Sequence, residues 1–287
     1  MPPQRHRDHA ALYGLDDGVA GLGYAALVLW VLGYPDQARQ LIDKMLSLAQ
    51  ELCHPLSLAW AHNTAAWHYQ FRREGYLTQA QAEVGIALCA EHGFTQLLAV
   101  GTILRGWALA AQGKGEEGIT QMRQGLTACQ DTGARISRPR YLTMLAEAYG
   151  VTGQAVEGLR LLAEAVMVGQ TTGERFFEAE SYRLTGELVL KATSHHAKAK
   201  ARKDLEAGRR SAEVQAEAYF QQAIDLARRQ RAKALELRAV RSFSRLRQRQ
   251  GNQAEARQLL AECYGWFTEG FETVDLREAK VLLAEIS

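Results

Sequence analysis

Glycines and other small residues recur along the chain with a step of 40. Gly93, Gly133 and Gly173 form one series, and Cys53 holds the same phase one step earlier. Gly33, Gly113 and Gly153 form a second series, and Ala26, Ala66, Gly106, Ala146 and Gly186 a third. Three columns in one period describe an array of supersecondary units, each burying its apolar face only against its neighbours. Apolar residues between the columns are three and four apart. Leu142, Leu145, Ala146 and Tyr149 precede Gly153, and Val156, Leu159, Leu162, Ala163 and Val166 follow it. That spacing is one face of an amphipathic helix, not a strand. Each unit therefore holds two helices, closed by glycines in the left-handed conformation that ends a helix. Pro35 and Pro55 each follow a turn, where a first-turn proline sacrifices no hydrogen bond.

The second helix of each unit carries further columns. Ala38, Ala80, Gly118, Gly158, Ala216 and Ala256 are small, and Ile42, Val84, Met122, Leu162, Phe220 and Leu260 are larger and apolar. Ala87, Gly125, Ala165, Ala223 and Cys263 are small again. Small side chains let paired helices cross closely while the larger ones interdigitate. The second unit reads as slightly out of step, with Gly75 as its turn glycine. After Gly186 the period breaks, and it resumes with SAEVQA (211–216) and GNQAEA (251–256), so about 18 residues are inserted. They fall in a polar, basic stretch at about 191–210, expected as a loop or a solvated helix extension. Thr273 is placed to cap a last helix. The expected fold is all-α, a right-handed α-solenoid of antiparallel helix hairpins with a repeat of about 40 residues and 12–13 helices. A tail (1–14), the array (15–273) and a C-terminal capping helix (274–287) complete the plan.

Composition agrees with a folded protein: 47% apolar and 23% charged residues. No run of 18 apolar residues can span a membrane. The N-terminus lacks the apolar core of a secretory signal. Cys53, Cys89, Cys129 and Cys263 match no disulfide framework and no C-x-x-C pair, so a reducing cytoplasm is expected.

GKGEEG at 113–118 has the G-x-G-x-x-G spacing of dinucleotide-binding proteins. That fingerprint needs a strand before it, whereas GTILRGWALAAQ reads as helix. GQAVEG (153–158) and GYPDQA (33–38) stand at the same phase without the same glycines, so the match is an inter-helix turn. Cys53, His54, Cys89 and His92 lie near helix ends but have no zinc-ligand spacing, and His195–His196 reads as a solvated pair. No metal, cofactor or catalytic constellation is expected. Charge is the most informative functional feature. From Lys191 to Arg249 the net charge is +10, against −8 for the rest. Arg231, Arg238, Arg241, Arg245 and Arg249 follow steps of 7, 3, 4 and 4, which puts them on one face of a helix that opens a hairpin. Two readings stand: a basic groove for an acidic segment, or a solvated face paired with Glu236 and other acids. Nucleic acid is the weaker partner, because no reading motif is present.

The small–large–small helix pairs resemble tetratricopeptide repeats with a longer unit. VLWVLGYPDQAR (28–39), GTILRGWALAAQG (101–113), RPRYLTMLAEAYGVTGQAVEGL (138–159), TGERFFEAESYRLTGELVL (172–190) and YGWFTEGFETVDLREAK (264–280) are similar to the C-terminal helical-repeat region of bacterial adenylate/guanylate cyclase–ATPase signalling proteins. The resemblance runs from about residue 14 onward. It implies a non-catalytic scaffold that binds a protein or peptide in its concave groove, or alternatively a ligand-sensing regulatory module. Neither a P-loop nor a strand-borne pair of metal-binding carboxylates is present, so the catalytic activities of those proteins are not implied.

Overall fold

The computed structural model describes residues 14–133, 136–195 and 202–286. Residues 1–13 of the expected tail, and 196–201 of the expected insertion, lie outside the described residues. The described chain is all-helical, with 13 helices. It divides into two compact units, Met1–Arg135 and Ile136–Ser287.

The first unit holds three hairpins: α1 (Asp17–Leu32) with α2 (Pro35–Leu52), α3 (Pro55–Phe71) with α4 (Gly75–His92), and α5 (Thr95–Ala111) with α6 (Gly115–Asp131). Besides its hairpin partner, each opening helix touches the next one, α1 on α3 and α3 on α5. The second unit pairs α7 (Arg138–Val151) with α8 (Ala155–Thr172), α9 (Glu178–His195) with α10 (Arg202–Arg229), and α11 (Lys233–Arg249) with α12 (Gln253–Tyr264). Helix α13 (Val274–Glu285) closes it against α11 and α12. The inserted residues lengthen helices on either side: α9 runs on to His195, and α10 is 28 residues long.

The glycine series does what its period requires. Gly33, Gly93, Gly113, Gly133, Gly153, Gly173 and Gly251 all sit at φ between +74° and +97°. Cys53 fills the same role at φ 52°. The second unit of the period is not out of step. Arg73 adopts the left-handed conformation there, at φ 61°, and Gly75 is the first residue of α4. Thr273 occupies the N-cap position of α13, yet its hydroxyl donates to the Gly270 carbonyl at 2.7 Å instead of accepting from the helix.

The small columns permit backbone contact, except that in α4 the buried phase is carried by Thr78, Ala82 and Gly85, and Ala80, Val84 and Ala87 are exposed. A Cβ on Gly118 would lie 2.4 Å from the Gly106 carbonyl oxygen, so α5 and α6 cross with no side chain between them. At Gly186 the space a Cβ would need is filled by the Phe220 ring, which brings α9 onto α10. Around the first two hairpins, Ile42, Met45, Ala61, Ala65 and Tyr69 form the core. In the second unit, Phe220, Ile224, Val240, Phe243, Leu260 and Leu276 do so.

Candidate functional site

Helix α11, KALELRAVRSFSRLRQR, is wrapped on nearly all sides. Leu235, Leu237, Ala239, Val240, Phe243 and Leu246 are buried. Arginines at intervening positions are carried inside with them, and a buried guanidinium demands a carboxylate. Arg238 is 3% exposed and Arg241 6%. Arg238 Nε donates to Asp275 Oδ2 at 2.7 Å, and its Nη1 reaches Glu180 Oε1 at 3.4 Å. Arg241 Nη1 donates to Asp275 Oδ1 at 3.3 Å and also to Glu278 Oε2.

On α9, Arg183 extends the network. It grips both oxygens of Glu180, at 2.8 and 2.7 Å, and donates to Glu187 at 2.7 Å. The Ser242 hydroxyl donates to the same Glu187 oxygen at 2.8 Å. Burial alone would raise the pKa of Glu180, but Arg183 and Arg238 outweigh it and hold the carboxyl below its ordinary value. Glu187 is likewise held down against burial, by Arg183 and then by the Ser242 hydrogen bond. Burial opposes the charge on Arg183 too, yet Glu180 and Glu187 hold its pKa well above the ordinary value. Glu180, Glu187 and Arg183 are therefore charged at neutral pH, and the network staples α9, α11 and α13 together.

The five arginines thus separate. Arg231 is not on the helix: it is the exposed left-handed residue of the α10–α11 turn, at φ 56°. Arg238 and Arg241 are internal. Arg245 and Arg249, one turn apart near the end of α11, are exposed and have no carboxylate partner among the described residues. Together with Lys191, Glu187, Ser242, Leu190, Phe220 and Leu246 they line a pocket of about 400 Å³. Its floor is apolar. Its single carboxylate, Glu187, is already engaged by Arg183 and Ser242, so the cationic rim is uncompensated. Lys191 Nζ donates to the Gly150 carbonyl at 3.2 Å, which fixes it at the rim.

Sequence reasoning missed Glu180, Arg183, Glu187, Asp275 and Glu278. The available signals were local: Glu180, Arg183 and Glu187 at steps of three and four, and Asp275 and Glu278 one turn apart.

The other candidates disperse. GKGEEG is the α5–α6 turn, with Gly113 at φ 89° and α6 starting at Gly115. Cys53 is exposed and its thiol meets the Gln50 carbonyl. His54 is the N-cap of α3, and its Nδ1 accepts from the Ser57 amide. Cys89 is buried, which pushes its thiol pKa up to about 11. His92 stacks on Phe94. Among the described residues, no group of three or more His, Cys, Asp or Glu is placed to hold a metal. A cleft of about 770 Å³ between α5 and α6 is lined by threonines, small residues, Leu98 and Gln124, with Asp131 as its one charged side chain. Among the described residues, no helix is long and apolar enough to cross a membrane.

No protein-family model matches the chain. An uncharacterized protein of Rhizobium meliloti (strain 1021) is 28% identical over 181 residues, covering 62% of this chain. That stretch spans only 17% of the relative's length. Among solved structures, a monomeric mutant of IFIT1 with Gppp-AAAA is similar over 92% of this chain and 56% of its own, with a TM-score of 0.62 and 14% identity. A signal-transduction ATPase with numerous domains and a tetratricopeptide-repeat sensor, from Pyrococcus horikoshii, aligns over 92% of this chain and 38% of its own at a TM-score of 0.48 and 12% identity. The likeness to IFIT1, at such low identity, concerns the fold alone: an array of helix pairs.

Proposed function

We propose that the chain is a non-catalytic interaction module that takes an acidic segment of a protein partner at the α9–α11 pocket. One observation carries this reading. Arg245 and Arg249 are left without carboxylates beside an apolar floor, while Arg238 and Arg241 on the same helix are consumed internally. Uncompensated guanidinium groups pair well with carboxylates, two donors at a time. Leu190, Phe220 and Leu246 suit an apolar side chain next to the acidic one. Helix pairs commonly present such grooves to peptides, and binding there needs no reacting group.

The test is fluorescence anisotropy with a labelled peptide of alternating Glu and Leu, against a Lys-for-Glu counterpart. The acidic peptide binds and the basic one does not, and affinity falls as salt is raised. A single-stranded oligonucleotide binding as well as the acidic peptide would contradict the choice of a protein partner. A second reading, a ligand-sensing regulatory module of a cyclase- or ATPase-type signalling protein, rests on the resemblance of stretches such as TGERFFEAESYRLTGELVL (172–190) to the helical-repeat region of those proteins. In that reading the same pocket receives the signal, and its occupancy shifts the populations of the array's conformations.

A further inference from the structure

Helices α9 and α11 meet at a nearly constant sequence offset, which means that they run in the same direction. Arg238 reaches Glu180, 58 residues away, and Arg183 Nη1 donates to the Ser242 hydroxyl oxygen, 59 residues away, at 3.3 Å. Parallel helices in such a register repeat a pairing every two turns, because residues seven apart return to one face. Two turns beyond Glu180 and Arg238 stand Glu187 and Arg245, again 58 apart. Both line the α9–α11 pocket, and a carboxylate and a guanidinium so placed would close a second ion pair. That pair is not formed. Glu187 Oε1 instead accepts from Arg183 Nη1 at 2.7 Å and from the Ser242 hydroxyl at 2.8 Å.

A second natural partner of Glu187 is diverted as well. Lys191 follows it by four residues on α9, the spacing at which Glu and Lys pair along a helix. The Lys191 ammonium is turned to the Gly150 carbonyl instead. Ser242 is buried and neutral, so it contributes no charge to the pocket it lines. Arg183 does not depend on Glu187, because it grips both oxygens of Glu180. The rim keeps its positive charge only while Glu187 stays turned toward Ser242.

We propose that Glu187 is a built-in competitor for the partner's carboxylate, and that Ser242 is the positioning residue that latches it away from Arg245. The inference rests on the acidic-partner reading of this pocket and adds what keeps the pocket open. With the latch made, Arg245 is available to an acidic segment. With the latch broken, Glu187 swings to Arg245, neutralises it in cis and closes the site. A charge-assisted hydrogen bond from a buried hydroxyl outweighs an ion pair at a wet rim, so the open arrangement is the stable one. An arriving carboxylate repels Glu187 and keeps it on the latch.

The test follows the acidic Glu–Leu peptide by anisotropy on the native chain, Ser242→Ala, Glu187→Gln and the double variant. Alanine is the better helix former, so Ser242→Ala keeps the fold. It binds about tenfold more weakly than the native chain. Glu187→Gln binds at least as tightly as the native chain, and the double variant matches Glu187→Gln. Unchanged binding in Ser242→Ala overturns the proposal. So does an equal loss in the double variant, which would mean that Ser242 only shapes the pocket. A second measurement needs no peptide. The urea midpoint shifts of Glu187→Gln and Arg245→Gln add in the native chain and fail to add in the Ser242→Ala background, where the two side chains pair. Additive shifts in both backgrounds overturn the latch. A native chain that binds no acidic peptide sinks the acidic-partner reading, and the latch then stands or falls on the midpoint shifts.

Discussion

Helices α3 and α11 both open a hairpin and both are buried on nearly every side, yet they are filled with opposite chemistry. PLSLAWAHNTAAWHYQF has no Asp, Glu, Lys or Arg, whereas KALELRAVRSFSRLRQR has six basic residues. On α3 the polar side chains are neutral, and those that reach other elements do so through uncharged hydrogen bonds, Ser57 with the Asp16 amide and Asn63 with the Leu97 carbonyl. Asn63 fits between Gly85 and Gly101, and His68 is fully buried with no hydrogen bond to either ring nitrogen among the described residues. On α11 the polar side chains are ionic and reach partners tens of residues away. The same burial is met once by shape and once by charge, and only the charged solution leaves arginines over at the rim.

The largest expected effect breaks the charged solution. Arg238→Ala leaves Asp275 and Glu180 buried beside a void and should cost about 3–5 kcal/mol in chemical denaturation. A loss below about 1 kcal/mol would mean that apolar packing alone holds α13 in place. The shape solution is broken by Gly85→Ala, whose new Cβ would sit 2.6 Å from Asn63 Oδ1. An expected cost of up to about 3 kcal/mol follows from overpacking, and Asn63→Ala in the same chain should recover part of it.

His68 gives the pH-dependent difference. Burial first, then the charges of Arg72 and Arg39, lower its pKa to about 3. The unfolded chain takes up a proton near pH 6.5 and the folded chain does not, so stability falls as pH drops below 6.5. The loss is about 2 kcal/mol by pH 5. His68→Leu should remove that slope between pH 7 and 5, as followed by urea unfolding at each pH. An unchanged slope would show that the ring is protonated in the folded state. The smallest effect belongs to the rim: Arg245→Glu with Arg249→Glu should alter stability by no more than about 0.5 kcal/mol.

The architecture was legible because a 40-residue period needs only spacing, and Gly33, Gly113 and Gly153 carry it without tertiary information. Cys53 was legible by phase. Arg73 was not: it holds the phase of Gly33, Gly113 and Gly153, but the nearby Gly75 drew the reading away. The site was half legible. Steps of three and four put the arginines on one helix, but whether such a face meets water or carboxylates depends on Glu180 and Asp275. These lie 58 and 37 residues from Arg238, and no local pattern links them. Arg231 was misplaced because its φ of 56° sets it in a turn that helical periodicity runs straight through.

The division of the α11 arginines into internal staples and a binding rim is tested most directly by titrating an acidic Glu–Leu peptide against the native chain and the Arg245→Glu, Arg249→Glu double variant. Binding should be lost in the variant while its melting temperature stays native. Undiminished affinity, or a melting temperature that falls as far as that of Arg238→Ala, would contradict it.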